Sequence, residues 1–106
     1  MRGSSLRDGP SEVVVVTGAS AGVGRAIARE FARHGAAVAL LARSHDGLAG
    51  AADDVERLGG RALAIPTDVS DDRQVEDAAE RVERELGPID IWVNNAMVSV
   101  LSPALQ

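Results

Sequence analysis

A chain of 106 residues and 11.0 kDa accommodates one domain at most, because domains commonly run to ~100–150 residues and so short a chain cannot bury two cores. Eleven basic against sixteen acidic residues leave a net charge of −5, and no basic stripe offers itself to a phosphate backbone, so no nucleic-acid partner is expected. The absence of cysteine excludes disulfides and thiolate-ligated zinc, which suits a cytoplasmic location.

Residues 1–12 are polar, rich in Gly, Ser and Arg, and lack the apolar core of a secretory signal, so a flexible N-terminal tail is expected there. Val13 to Thr17 is a continuous β-branched run, the pattern of a strand covered on both faces. From about Gly22 to His34, Val23, Ile27 and Phe31 recur at helical spacing among charged residues, and Gly35 supplies a C-terminal stop. Ala37 to Ala42 reads as a second buried strand. Leu48, Ala51/Ala52, Val55 and Leu58 form the stripe of a second helix, ended at Gly59-Gly60. A third strand covers Arg61 to Pro66; Ser70 is the expected cap of a third helix, which begins with Asp71 and Asp72 and carries Val75, Ala78/Ala79, Val82 and Leu86 on one face. After Gly87-Pro88, Ile89 to Val93 is the fourth strand, with Trp92 expected to pack within it. Strict alternation of strand and helix predicts an α/β fold, a Rossmann-like doubly wound parallel sheet of four strands and three helices. The domain is expected over residues 13–97, followed by a loop-like tail over 98–106. No stretch approaches the ~18 apolar residues that span a bilayer, so no membrane partner is expected.

Thr17-Gly18-Ala19-Ser20-Ala21-Gly22-Val23-Gly24 lies between the first strand and the first helix, where a parallel sheet places its ligand crevice. A pyrophosphate needs backbone N–H groups, the positive end of a helix dipole and no intervening β-carbon. Gly18 suits the tight turn, Gly22 the approach of phosphate to the main chain, and Gly24 the close packing of helix on strand, while Ser20 adds a hydroxyl donor. A triphosphate-binding loop would end in Gly-Lys-Ser/Thr, whereas this one ends in Gly24-Arg25-Ala26.

The spacing Gly-x-x-x-Gly-x-Gly after a Thr resembles the short-chain dehydrogenase/reductase family, here its N-terminal, cofactor-binding half. Asp68-Val69 is similar to the family's adenine-contacting pair, and Asn94-Asn95-Ala96 to its Asn-Asn-Ala-Gly, with Met97 departing from the usual Gly. The resemblance implies an NAD(P)-dependent oxidoreductase acting on carbonyl/hydroxyl substrates. It implies dinucleotide contacts at Gly18, Ser20, Ala21, Gly22, Val23, Gly24, Asp68, Val69, Asn94 and Ala96. Asp68 has a plainer reading as a partner of the following helix dipole. The amides of Asn94 and Asn95 suit either tying loops together or reaching a ribose.

Dinucleotides with a bare 2′-hydroxyl are commonly gripped by an acidic residue at the end of the second strand. Here Ala42 is followed by Arg43-Ser44. A guanidinium there can hold a 2′-phosphate, so NADP is expected in preference to NAD; the alternative is a merely solvated Arg43. His34, at a helix end, and His45, in a loop, are assigned no chemistry, and no metal site is expected. Asp53, Asp54, Glu56 and the carboxylates from Glu76 to Glu85 are expected on solvated helix faces.

The resemblance also implies a catalytic Ser followed by Tyr-x-x-x-Lys, yet the sequence has no Tyr and no Lys. The chain by itself is therefore expected to be inactive, a fragment or truncated frame whose fourth strand is an exposed, aggregation-prone edge. A small-molecule substrate and any oligomer contacts are expected only in a full-length parent. A non-catalytic dinucleotide-binding or regulatory module and a non-functional remnant are the alternative readings.

Overall fold

The computed structural model describes residues 12–95. The expected tails, apart from Glu12, lie outside the described residues, as do Ala96 and Met97. Among the described residues the elements run β1 (Val13–Thr17), α1 (Gly22–Arg33), β2 (Ala37–Ala42), α2 (His45–Arg57), β3 (Arg61–Pro66), α3 (Asp72–Glu85) and β4 (Ile91–Val93). They build one parallel four-stranded sheet in the order β3-β2-β1-β4. This is the expected Rossmann-like arrangement.

The β-branched and small aliphatic residues of β1 and β2 are buried at every position, as continuous apolar runs require when both sheet faces are covered. Val14, Val16, Val38 and Leu40 face α1 and α2, meeting Ala28, Ala32, Leu48, Ala51 and Val55. The alternate residues Val13, Val15, Ala39 and Leu41 face α3 through Ala78 and Val82. The two-residue period of each strand thus supplies both layers. Each fully buried Val or Leu contributes roughly 1.5–3 kcal/mol of transfer free energy.

Four expectations are corrected. Val23 does not belong to the buried stripe of α1 and is 67% exposed; the helix instead seats Gly24, Ala28 and Ala32 on the sheet, because small residues allow closer approach than the larger flanking Ile27 and Phe31. Ser70 does not cap α3: Asp71 does, its carboxylate accepting from the N–H groups of Arg73 and Gln74. His45 is the first residue of α2 rather than part of a loop, with Ser44 as cap. The fourth strand is shorter than Ile89 to Val93 and begins at Ile91; just before it, Asp90 takes the Val13 N–H on its carboxylate at 2.8 Å and gives its own N–H to Val13 O at 2.9 Å.

Trp92 also departs from expectation, at 37% exposed. It is in register with Val15 and so shares the α3 face, but β4 is an edge of the described sheet, and the α3 residues of that core, Ala78 and Val82, cluster with β1, β2 and β3.

Candidate dinucleotide site

At the carboxyl ends of β1, β2 and β3 the chain forms a cleft of about 300 Å³, lined by Gly18, Ser20, Ala42, Arg43, Ser44, Thr67 and Val69. Three separate strands deliver these residues. Parallel strands all point their carboxyl ends the same way, so the loops that follow them converge on one rim.

The loop after β1 holds its shape through backbone conformations that favour glycine. Gly18 and Gly22 take φ of 64° and 60°, in the left-handed region that costs residues with a β-carbon ~1–2 kcal/mol. A Cβ at Gly22 would meet no protein atom within 4 Å, whereas one at Gly24 would run into the Gly18 carbonyl oxygen and stand 2.8 Å from Asn95 Nδ2. Gly24 thus permits the helix to close on the loop, and Gly22 leaves its outer face open to an approaching group.

Helices α2 and α3 are capped by their own side chains, Ser44 and Asp71. Helix α1 is not: its cap position is Ala21, no side chain bonds its first turn, and no acidic residue lies there. Its leading N–H groups and the positive end of its dipole therefore remain for an external anion. Ala21 and Val23 are exposed at this terminus and lie outside the cleft lining.

From the fourth strand, the Thr17 hydroxyl is directed at Val93 O (3.3 Å) and Asn94 Oδ1 (3.2 Å), and Asn95 Nδ2 donates to Gly18 O at 3.4 Å. The two asparagines thus tie β4 to the glycine loop, the structural role open to them in the sequence. Asn94 does not line the cleft.

Arg43 and Ser44 are both exposed at the end of β2, and no carboxylate lines the cleft. The Ser44 hydroxyl accepts from the Gly47 N–H at 3.1 Å. Asp68 sits between two lining residues without lining the cleft itself. Its Oδ1 accepts from the Ser70 hydroxyl (2.6 Å) and the Ser70 N–H (3.0 Å). Those two bonds hold its carboxyl below the usual carboxylate range, with the nearby Arg43 charge adding a smaller pull.

Sequence reasoning missed three residues here. Thr67, 3% exposed, lines the cleft and is pinned by its N–H on Ala42 O (2.8 Å) and its hydroxyl on Ile65 O (2.8 Å). Gly47 packs the first turn of α2 directly on Ser20. Asp54, expected on a solvated face, is instead clamped between α1 and α2 by Arg25 (2.7 Å) and Arg29 (3.3 Å) at 23% side-chain exposure. The Arg25 hydrogen bond keeps the Asp54 carboxyl low, and the charges of Arg25, Arg29 and Arg57 act in the same direction. Thr67 had a signal in its position just before Asp68; the other two depend on how α1 and α2 pack.

Comparison with known proteins agrees with this geometry. The short chain dehydrogenase family model matches residues 12–106. A short chain dehydrogenase of Pseudocercospora fijiensis is 39% identical over 95 residues, covering 90% of this chain and 31% of that protein. A fatty acyl-CoA reductase of Mycobacterium tuberculosis is 40% identical over 93 residues, covering 88% of this chain and 32% of the other. The chain therefore spans about a third of the length of these curated relatives. Among solved structures, L-sorbose reductase from Gluconobacter frateurii, complexed with NADPH and L-sorbose, superposes with a TM-score of 0.73 at 39% identity, over 78% of this chain and 32% of that one. An alcohol dehydrogenase from Thermococcus sibiricus, complexed with 5-hydroxy-NADP, gives 0.73 at 40% identity, over 77% and 35%. With the family model spanning the glycine loop, the cleft and all four strands, this chain belongs to the short-chain dehydrogenase family.

Proposed function

We propose that this chain is the NADP-binding part of an oxidoreductase that interconverts carbonyl and hydroxyl groups on a small-molecule substrate. The observation that carries the reading is the composition of the cleft: Arg43, Ser44 and Ser20 line it together with Gly18, and no acidic side chain does. A carboxylate at the end of β2 would accept from a bare ribose 2′-hydroxyl and repel a 2′-phosphate, whereas a guanidinium attracts that phosphate. The glycine loop and the uncapped start of α1 fit the pyrophosphate. The two solved relatives named above were complexed with NADPH and 5-hydroxy-NADP, which supports the same ligand class.

A bound nicotinamide supplies or accepts hydride; the residues of this chain bind and orient the dinucleotide. We assign them no proton-transfer step, because the sequence contains neither Tyr nor Lys and general acid–base work needs a group of suitable pKa at the reacting atoms. The chain alone is accordingly inactive, and substrate and subunit contacts belong to parts of the family fold beyond this third. Among the described residues no helix is long and apolar enough to cross a membrane; the lack of cysteine supports the further assignment to the cytoplasm.

The test is a binding titration of NADPH and NADH on the native chain and on Arg43→Asp. A charge-assisted hydrogen bond is worth about 1.5–3 kcal/mol, so the substitution should lower the preference for NADPH by roughly 10- to 150-fold. An unchanged ratio removes the assignment of the 2′-phosphate to Arg43. No binding of either nucleotide by the native, folded chain removes the reading as a whole.

A further inference from the structure

The turn after β3 is tied more tightly than a surface connection needs to be. The Thr67 N–H goes to Ala42 O, the Asp68 N–H to Gln74 Oε1 at 2.8 Å, the Ser70 N–H to Asp68 Oδ1, and the Asp71 N–H to Asp68 O at 3.0 Å. Among the described residues the Val69 N–H is the one donor from residue 67 to 71 with no protein acceptor, and Val69 lines the cleft. Beside it, both Ser70 bonds fall on Asp68 Oδ1, and no bond reaches Oδ2. A free donor next to a free anionic acceptor matches the edge of adenine, where N1 accepts and the 6-amino group donates. It mismatches hypoxanthine, whose N1–H donates and whose 6-oxygen accepts.

Gln74 is what holds that pair in place from outside. It is exposed, in the first turn of α3, and is absent from the cleft lining. An ordinary capping box returns the side chain at this helix position to the cap residue's own N–H. Here Gln74 Oε1 reaches past the cap to the Asp68 N–H, while its Nε2 donates to Asp71 Oδ2 at 3.3 Å. The start of α3 is thereby bolted to Asp68, the residue that precedes Val69.

We propose that Gln74 is a positioning residue for base recognition: by accepting the Asp68 N–H it sets the Asp68-Val69 pair so that the site selects adenine over bases with the opposite edge. The inference rests on the dinucleotide reading above. It requires that loss of Gln74 reduce base selectivity, and not affinity alone.

The experiment compares NADPH with nicotinamide hypoxanthine dinucleotide phosphate in its reduced form, by fluorescence titration of the native chain, Gln74→Ala and Gln74→Glu, each checked by circular dichroism. The native chain prefers NADPH by about tenfold or more, the equivalent of one net hydrogen bond. Gln74→Ala brings the two affinities within about twofold of each other, whereas Gln74→Glu keeps an acceptor for the Asp68 N–H and keeps most of the preference. Ser70→Ala, which removes only the hydroxyl bond to Asp68 Oδ1, lowers the preference by at least about twofold and serves if Gln74→Ala does not fold. A purely helix-capping Gln74 weakens both nucleotides equally, and that result overturns the proposal, as does a native chain that binds both alike. Failure of the native chain to bind NADPH at all overturns the dinucleotide reading instead.

Discussion

Gly47→Ala sets two physical effects against each other in a single methyl group. Gly47 lies in the first full turn of α2, and by helix propensity alone an Ala there stabilises by about 1 kcal/mol. The added Cβ, however, would stand 2.6 Å from Ser20 Cβ, 3.1 Å from Ser20 O and 3.4 Å from Ser20 Cα. Carbon atoms rest at about 3.5–4.0 Å, so helix and loop must separate by roughly 1 Å, and two of the three obstructing atoms are backbone. Overpacking of that kind costs about 1–3 kcal/mol, which exceeds the propensity gain or cancels it. The expected melting temperature is unchanged or lower by up to about 16 °C, at ~4–8 °C per kcal/mol for a chain of this size. The larger effect falls on the ligand, because Ser20, on the glycine loop, and Ser44, the cap of α2, line one cleft and separating loop from helix displaces one relative to the other. Losing one charge-assisted contact weakens NADPH binding by about tenfold or more. Gly50→Ala is the matched control on the same helix: the three nearest atoms its Cβ would meet all belong to the Arg25 guanidinium, nearest at 3.0 Å, so it presses on the Arg25–Asp54 pair and not on the glycine loop. Calorimetry should show Gly50→Ala within about 1 kcal/mol of the parent, the helix-propensity gain being set against a shift of the Arg25 guanidinium, and titration should show its affinity unchanged. A Gly47→Ala chain that is more stable and binds NADPH at full strength would refute the claim that α2 and the glycine loop share one rigid contact.

Gly24→Ala should be harsher, since its Cβ would collide with the Gly18 carbonyl as well as with Asn95; the expected results are a loss of about 1–3 kcal/mol in denaturant melts and no measurable NADPH binding. Asp54→Asn tests the clamp between α1 and α2. The folded-state pKa of Asp54 is depressed, so the stability its ion pairs supply is present above the unfolded value of about 3.9 and is lost as pH falls through the lower folded value. Acid titration followed by circular dichroism should therefore find Asp54→Asn less stable than the parent at pH 7, with the gap closing below about pH 4.

Most of the fold was legible because it rests on local pattern. β1 and β2 are unbroken apolar runs, α2 carries an apolar stripe, and the helices stop at Gly35, Gly59 and Gly87, all with positive φ. The misreadings arose where tertiary context decides. Val23 has the right spacing for a core stripe, but the need to bring α1 close to the sheet selects the line of Gly24, Ala28 and Ala32. Ser70 and Asp71 are both competent caps; Ser70 is taken by Asp68, and the helix starts on the other. Asp54 resembles its neighbour Asp53, yet only Asp54 faces α1 and its arginines. At the candidate cleft, the positions of Gly18 and Arg43 at the strand ends could be read from spacing, whereas those of Thr67, Gly47 and Gln74 depend on contacts between loops that follow different strands.

Those contacts make the site a property of the whole sheet end. Asn94 and Asn95 hold the glycine loop from β4, Gly47 presses on it from α2, Thr67 is pinned to the last residue of β2, and Gln74 anchors the turn after β3 from α3. On the dinucleotide reading proposed above, none of these residues needs to touch the ligand for its loss to be felt there, because each holds a loop at the rim of the cleft in place. Binding energy and folding energy are then linked: a ligand that prefers this spacing stabilises the chain by RT ln(1 + [L]/Kd), about 2.7 kcal/mol at a hundredfold excess over Kd. Residues that set spacing reduce that ligand-induced gain more than they reduce the stability of the free chain, whereas buried residues such as Leu40 reduce the stability of the free chain first. The difference between the two melting shifts, with and without NADPH, therefore separates the architecture of the site from the architecture of the core.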